Sequence, residues 1–229
     1  MPSKKVVVLT GAGISAESGL STFRDSGGLW EGFDINEVAS IDGWNRNPSK
    51  VLEFYNMRRE QVSKVEPNSA HKALAELEKH FEVVIVTQNV DDLHERAGSK
   101  NIIHLHGELT KARSERNEYE ITEIGYSPIK MGDYSKDGSQ LRPAIVWFGE
   151  MVPMIEKAAM EVSQADILIV IGTSLLVYPA ASLVHYSAKG IPKYIIDPNI
   201  PEVLGPENWS LINDTANSGV PKLVQELTT

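Results

Sequence analysis

Cysteine is absent from this sequence, and its absence excludes several kinds of chemistry. Disulfide bonds, thiol nucleophiles and zinc or iron–sulfur sites held by thiolates all require cysteine. Basic residues are also in the minority, since 22 Lys+Arg face 31 Asp+Glu and the formal net charge is −9. This balance argues against nucleic acid as the main partner, because nucleic-acid binding depends on basic side chains.

Long apolar runs are missing as well. No segment approaches the roughly 20 apolar residues that span a bilayer, and residues 1–5 lead into a short strand without a signal-peptide pattern. We therefore expect no membrane association and a cytoplasmic location, and we take the chain to be a monomer. The 229 residues, of which 41% are hydrophobic, are enough to build a packed core.

Short runs that are apolar throughout alternate with helical patterns along the chain. Strands are predicted at 6–9, 83–86, 102–105, 167–171 and 194–196, and helices at 51–65, 70–81, 153–164, 180–189 and 221–227. Continuous apolar runs are typical of parallel strands buried on both faces. The alternation predicts an α/β fold, a Rossmann-like doubly wound parallel sheet.

The stretch 108–143 interrupts this alternation. It is rich in charged residues and poor in apolar ones, and Gly, Ser, Asp and Lys cluster towards its end. We interpret it as a small inserted module, which leaves 1–107 and 144–229 to form the main domain.

Glycines follow the first predicted strand, at Gly11, Gly13 and Gly19. Glycines at this place let backbone N–H groups approach a pyrophosphate, although a tight strand-to-helix turn would explain them equally. Their spacing differs from the G-x-G-x-x-G of dehydrogenases, and no acidic residue ends the second strand. A standard hydride-transferring dehydrogenase is therefore disfavoured.

Polar residues follow three further strands of the predicted sheet. Gln88, Asn89 and Asp91 follow one, 172–174 the next and 197–199 the last. Because the carboxyl ends of parallel strands meet at one edge, these turns predict a nucleotide site. The plainer alternative for Asn89 and Asp91 is that they cap the following helix.

Two histidines, His104 and His106, stand one residue apart before Gly107. They indicate either a pair of metal ligands or a single general base, His106, beside a glycine that leaves room for substrate. A buried structural histidine is the third alternative. No further cluster with ligand spacing completes a metal site, so we expect no metal.

Taken together, these stretches resemble the sirtuins, a family of NAD-dependent protein lysine deacylases. The matching stretches, in chain order, are 11–30, 88–91, 104–107, 146–150 and 172–174. The resemblance implies NAD as cofactor and acylated lysine side chains of proteins as substrates. It also implies the products: deacylated lysine, nicotinamide and O-acyl-ADP-ribose.

The resemblance further implies roles for individual residues. The expected catalytic residues are His106, as the general base, and Asn89 and Asp91, which are expected to line the nicotinamide pocket, with Asp91 holding the carboxamide. The residues expected to bind the cofactor are Gly11, Ala12, Gly13, Ser15, Phe23, Arg24, Trp30, Gln88, Asn89, Asp91, Gly172, Thr173, Ser174, Asn199 and Ala216.

Tyr55 and Arg58 lie three residues apart, on one face of a predicted helix. A phenol and a guanidinium can together bind a carboxylate, whereas an amphipathic helix with an exposed arginine is the plain alternative. The same Y-x-x-R pair marks sirtuins that prefer succinyl-, malonyl- or glutaryl-lysine, and Ala39 falls where that class keeps a small residue. The resemblance therefore implies that desuccinylation exceeds deacetylation.

The inserted module departs from the family. Sirtuins usually carry four zinc-binding cysteines there, whereas this chain has Ser114 in place of the first ligand and no histidine in 108–143. We expect no zinc. We expect the module to be held by apolar side chains that pack on the main domain, namely Tyr119, Ile121, Ile124, Tyr126, Ile129 and Tyr134.

Three other functions stay open at this point. The chain could be a non-catalytic module that binds NAD or ADP-ribose, or a protein ADP-ribosyltransferase. A metal-dependent amidohydrolase built on His104 and His106 is the third.

Overall fold

The computed structural model describes residues 4–22, 29–30, 32–201 and 209–229, and for residues 29–30 only the backbone. Phe23 and Arg24, two of the expected cofactor contacts, lie outside the described residues, as does the side chain of Trp30.

Strands and short helices alternate along the described chain. The strands are β1 (Lys5–Thr10), β2 (Leu29–Trp30), β3 (Phe33–Asp34), β4 (Glu82–Thr87), β5 (Ile102–His104), β6 (Gly107–Ser114), β7 (Ile121–Glu123), β8 (Leu141–Ile145), β9 (Ile167–Ile171), β10 (Lys193–Ile196) and β11 (Ser210–Ile212). The helices are α1 (Gly13–Ala16), α2 (Ile35–Val38), α3 (Ile41–Arg46), α4 (Pro48–Ser63), α5 (Ser69–Leu77), α6 (Leu93–Ala97), α7 (Ile155–Ser163) and α8 (Ala216–Thr228), with a 3₁₀ helix at Ala180–Tyr186.

The main sheet has six parallel strands in the order β11-β10-β9-β1-β4-β5. From β1 the chain moves outward to β4 and β5, and it later continues on the other side of β1 with β9, β10 and β11. Successive residues of β1 point to opposite faces: Val7 packs with Val162 and Leu183 in one buried cluster, and Val6 with Leu74 in another. Helices cover both faces, so the chain forms the predicted doubly wound sheet.

Several elements differ from the prediction: the short helices α1, α2, α3 and α6 were not predicted, and the helix predicted at 180–189 is the 3₁₀ helix Ala180–Tyr186. Helix α8 begins at Ala216 and contains Pro221, which the sequence analysis placed at a helix start. A proline inside a helix leaves the carbonyl four residues earlier without its N–H partner. For Pro221 this is the carbonyl of Asn217, and the hydroxyl of Ser69 donates to it at 2.6 Å. Strand β11 was missed because it is short and partly polar.

The stretch predicted to be an inserted module contains a separate antiparallel sheet, with strand order β7-β6-β8. The boundaries predicted at 108 and 143 fall within β6 and β8. The division into two domains stays a prediction. No helix of the described residues is long and apolar enough to cross a membrane.

The packing predicted for this small sheet is wrong for Tyr119, Ile121 and Tyr134, whereas Tyr126, although 40% exposed, contacts the main domain through a hydrogen bond from its hydroxyl to Asp92. Tyr119 is 86% exposed, and the other large apolar side chains of the group that are exposed are Ile121, Tyr126 and Tyr134. Strand β7 lies at the edge of the small sheet, and all three of its residues are exposed. Ile129, by contrast, is buried, and both its backbone N–H and its carbonyl bond to the Asn56 side chain on α4, at 2.9 and 2.8 Å.

A hydrogen-bonded group surrounds Ser114, which is fully buried. Its hydroxyl donates to Asp137 at 2.6 Å and accepts the backbone N–H groups of Arg116 and Asn117. The Ser139 hydroxyl also donates to Asp137, at 2.6 Å. Hydrogen bonds from Ser114 and its neighbouring serines hold the pKa of the Asp137 carboxyl well below its usual range. Hydrogen bonds among neutral hydroxyls, one carboxylate and backbone N–H groups thus hold the loops of the small sheet together.

We expect the fold to depend on this group and not on zinc. Ser114→Ala removes a buried partner of several donors, so it should lower the melting temperature by roughly 2–12 °C, which corresponds to about 1–3 kcal/mol. Dialysis against EDTA should leave the melting temperature unchanged, and metal analysis should find no stoichiometric zinc. Ser163→Ala, at an exposed hydroxyl on α7, is the control. A chelator-induced drop in melting temperature would contradict the prediction.

Candidate active site

One cavity of about 480 Å³ brings together the predicted site residues that the structure describes. It opens where β1, β4, β9 and β10 end, beside the point at which the strand order reverses, which is where doubly wound sheets bind ligands. Its lining includes Gly11, Ala12, Gly13, Ser15, Ala39, Tyr55, Arg58, Gln88, Asn89, Asp91, His106, Gly172, Thr173, Ser174, Asn199 and Ala216.

The glycines after β1 serve a close contact between two loops. Gly11 N–H donates to the carbonyl of Ile171 at 3.0 Å, and Gly13 N–H donates to that of Gly172 at 2.9 Å. A Cβ atom on Gly13 would lie 2.6 Å from Gly172 Cα, and Gly172 itself has a φ of +61°. These two N–H groups are therefore occupied, and their role differs from the expected approach to a pyrophosphate.

Ser15 links the two polar residues that follow β4. The Asn89 side-chain amide donates to the Ser15 hydroxyl, which donates to Asp91 Oδ2, both at 3.1 Å. The other Asp91 oxygen accepts the backbone N–H of Leu93 at 3.1 Å. The capping alternative is therefore correct for one of the two carboxyl oxygens. Burial raises the pKa of Asp91, although these two donors oppose the shift.

The backbone determines which nitrogen of His106 carries its proton. Nδ1 lies 3.0 Å from the carbonyl oxygen of Gln88, and a carbonyl can only accept. The hydrogen therefore sits on Nδ1, and Nε2 keeps its lone pair. Burial lowers the pKa of His106 below its ordinary value, against the effect of the Gln88 carbonyl, so the ring is neutral at pH 7. This residue of the cavity wall is suited to accept a proton at Nε2.

His104 has a different environment, although it stands only two residues away. Its Nδ1 lies 3.2 Å from the Asn89 carbonyl and its Nε2 lies 2.7 Å from Glu95, so both nitrogens donate. Burial favours the neutral ring, but Glu95 and Glu108 outweigh it and raise the pKa of His104. The protonated form of His104 is thus favoured more than that of His106, and His104 lies outside the cavity lining.

The expectation that Gly107 leaves room for substrate is wrong. It has a φ of +80°, and a Cβ atom there would lie 1.9 Å from the Ala144 carbonyl oxygen. The glycine is needed because β8 passes so close.

Among the described residues, one grouping could offer ligand atoms to a metal ion: Glu95, His104 and Glu108, within 4.8 Å of one another. His104 already pairs with Glu95, and Glu108 pairs with Lys111 at 2.7 Å. The grouping does not contain His106, so His104 and His106 do not form a shared pair of ligands. The grouping of Glu95, His104 and Glu108 could not be recognised from sequence spacing, because α6, β5 and β6 each contribute one of its residues.

Tyr55 and Arg58 are buried on the same face of α4 and line the cavity. The alternative of an ordinary exposed arginine is therefore wrong. Arg58 Nη1 donates to Gln61 Oε1 at 3.1 Å, within the same helix. Ala39, at the end of α2, lines the same cavity, and its carbonyl accepts the backbone N–H of Phe148 at 2.9 Å.

Several further residues, for which no individual role was predicted, also line the cavity. Trp147 is one of them, and its indole Nε1–H donates to Tyr55 Oη at 2.9 Å. Phe148 and Tyr178 line the cavity with exposed rings. The stretch 146–150 was among the family matches, which is the signal that could have led to Trp147.

Comparisons with known proteins agree on one family. The description "Sir2 family" matches residues 11–179. An NAD-dependent protein deacylase of Helicobacter pylori is 56% identical over 224 residues, which cover 98% of this chain and 97% of that protein. A protein of the same name from Bacteroides thetaiotaomicron is 53% identical, over 98% of each chain. A crystal structure of a Sir2 homolog–NAD complex matches with a TM-score of 0.87 and 42% identity, over 98% of this chain and 90% of that chain.

Proposed function

Because this chain belongs to the Sir2 family, we propose that it is an NAD-dependent protein deacylase that prefers lysine acyl groups ending in a carboxylate. The observation that carries the acyl preference is the burial of Tyr55 and Arg58 side by side in the wall of the cavity that also contains His106. A cytoplasmic location and a monomeric state remain predictions.

The residues of the cavity fit NAD by the chemistry of their donors and acceptors. Asn89 and Asp91 offer an amide and a carboxyl group to a carboxamide, and the Gln88 amide, which donates to Thr173 Oγ1 at 3.1 Å, lies beside them for ribose hydroxyls. When bound, NAD supplies a labile bond between nicotinamide and ribose, which drives the removal of an acyl group from a stable amide. The residues that would hold its adenosine half are Gly172, Thr173, Ser174, Asn199 and Ala216.

His106 provides the general base of this proposal. Its Nε2 takes a proton from a hydroxyl group that must become a nucleophile. The Gln88 carbonyl, which accepts the Nδ1 hydrogen, then stabilises the imidazolium that results. Because the cavity buries the ring in its neutral form, the base is ready at neutral pH.

Tyr55 and Arg58 provide the acyl selectivity. A guanidinium can donate two parallel hydrogen bonds to a carboxylate, and a phenol can add a third. Hydrogen bonds to charged groups contribute about 1.5–3 kcal/mol, which corresponds to a preference of roughly 10- to 100-fold over an acyl group without the carboxylate. Ala39, a small residue, leaves space for the longer acyl chain.

A panel of acetyl-, malonyl-, succinyl- and glutaryl-lysine peptides, assayed with and without NAD, tests this function. We expect activity only with NAD, and a higher kcat/KM for the three acidic acyl groups than for acetyl. Peptide-dependent release of nicotinamide would separate the enzyme from a non-catalytic NAD- or ADP-ribose-binding module.

Other outcomes of the panel would contradict the proposal. Transfer of labelled NAD to protein without any acyl peptide would favour an ADP-ribosyltransferase. Activity without NAD would favour a hydrolase of another kind. Equal rates on acetyl and acidic acyl peptides would leave the deacylase but remove the acyl preference.

A further inference from the structure

A hydrogen bond from Trp147 determines whether the Tyr55 hydroxyl donates to a ligand or accepts from it. The two side chains are each 2% exposed, and Nε1 of the indole lies 2.9 Å from Oη of the phenol. An indole N–H can only donate, so the phenol oxygen must be the acceptor of this bond. The single hydrogen of the Tyr55 hydroxyl is therefore directed to another partner.

The phenol keeps that hydrogen at neutral pH. Burial raises the pKa of Tyr55 above its ordinary value, even though the Trp147 bond and the charges of Arg142 and Arg58 oppose the shift. Tyr55 is thus a neutral hydroxyl that already accepts from the protein and has a donor to offer. Since Tyr55 lines the cavity, that donor is available to a ligand that brings an acceptor.

The indole itself is covered by a buried guanidinium that a carboxylate holds in place. The Arg142 guanidinium stacks on it, with Cζ 3.4 Å from the ring centroid. Arg142 is held in turn by two hydrogen bonds to Glu150, at 2.8 and 3.0 Å, and Glu150 also accepts the backbone N–H of Trp147 at 2.9 Å. A buried, charge-paired support of this kind leaves the indole little freedom to turn its N–H away from Tyr55.

We propose that Trp147 is a positioning residue for acyl selectivity, because it occupies the acceptor side of the Tyr55 hydroxyl and so presents the phenol to the acyl end as a donor. The site then favours acyl ends that accept hydrogen bonds, such as a carboxylate, over methyl or ammonium ends. This inference rests on the proposed function, since it explains how one member of the Tyr55–Arg58 pair is oriented.

The test removes the indole N–H and measures the two acyl substrates separately. Trp147→Phe should raise KM for a succinyl-lysine peptide about three- to tenfold, the effect of one lost hydrogen bond. The kcat for that peptide and the KM for an acetyl-lysine peptide should stay within about twofold of wild type. Trp44→Phe is the matched control, because Trp44 is equally buried and packs on Trp147 with ring centroids 5.5 Å apart, but donates its N–H to Glu115 at 2.8 Å and not to Tyr55.

A double-mutant cycle shows whether Trp147 acts through Tyr55. In a Tyr55→Phe background, Trp147→Phe should no longer change the ratio of succinyl to acetyl kcat/KM, because the hydroxyl that it orients is gone. If Trp147→Phe proves unstable in a melting experiment, 3-benzothienylalanine at position 147 keeps the ring shape and replaces only the N–H by sulfur.

Two results would overturn the inference. One is an equal loss on both peptides, and the other is the same change of ratio with and without the Tyr55 hydroxyl. Both are distinguishable from failure of the proposed function, which would appear as a wild-type enzyme without NAD-dependent activity or without a preference for succinyl-lysine.

Discussion

His106→Ala should reduce deacylation by about 10²- to 10⁴-fold, the usual contribution of a general base, while NAD binding stays close to wild type. The imidazole accepts a proton at Nε2 and alanine cannot, whereas the polar groups that would hold NAD belong to other residues. Rates with a succinyl-lysine peptide and calorimetric titration with NAD measure the two properties separately. His185→Ala is the control, since His185 is exposed and lies outside the cavity lining.

The pH profile of the wild-type enzyme checks the same assignment. The folded-state pKa of His106 lies below the ordinary value of 6.5 because the ring is buried. A base works only when it is unprotonated, so kcat/KM should fall as the pH decreases through this lowered pKa and should be level above it. Retention of most activity in His106→Ala, or an acid limb centred above 6.5, would contradict the role of His106.

Arg58→Met should reverse the acyl preference, so that deacetylation exceeds desuccinylation. The substitution keeps a long side chain in a buried place but removes the charge and the paired N–H donors. We expect kcat/KM for a succinyl-lysine peptide to fall about 10- to 100-fold, since charged hydrogen bonds contribute about 1.5–3 kcal/mol, while the acetyl-lysine value changes little.

The control for this variant removes an equal charge close by. Lys64→Met lies at the end of the same helix, where Lys64 is exposed and pairs with Glu60 at 2.6 Å. It should leave the ratio of succinyl to acetyl activity unchanged. If Arg58→Met also leaves that ratio unchanged while the protein stays folded, then Tyr55 and Arg58 do not bind the acyl carboxylate.

The parallel sheet could be predicted because its strands carry their own signal. Every residue of β1 from Val6 to Leu9 is apolar and buried. Such a continuous apolar run is typical of a strand that is buried on both faces. The carboxyl ends of such strands share an edge, so the meeting of Gln88, Asn89 and Gly172 at one cavity followed from topology.

The support of the small sheet could not be predicted in the same way. Its segment is polar and has no periodic apolar pattern, so apolar residues such as Tyr119 and Ile129 look equivalent in the sequence. Only the tertiary structure shows that Ile129 meets Asn56 on α4 while Tyr119 is exposed to solvent. Contacts between residues far apart in the chain decide this difference, and no local propensity encodes them.

By itself, the sequence determined the sheet, the absence of thiol chemistry and the residues that line one cavity, because strand patterning and residue type are local properties. Only the tertiary structure decided the state of each polar group. Burial favours the neutral ring of His106, whose Nε2 keeps its lone pair because Nδ1 donates to the Gln88 carbonyl, whereas Glu95 and Glu108 raise the pKa of His104. Trp147 makes Tyr55 a donor. Protonation and hydrogen-bond direction depend on which partners lie within about 3 Å, and folding alone brings those partners together.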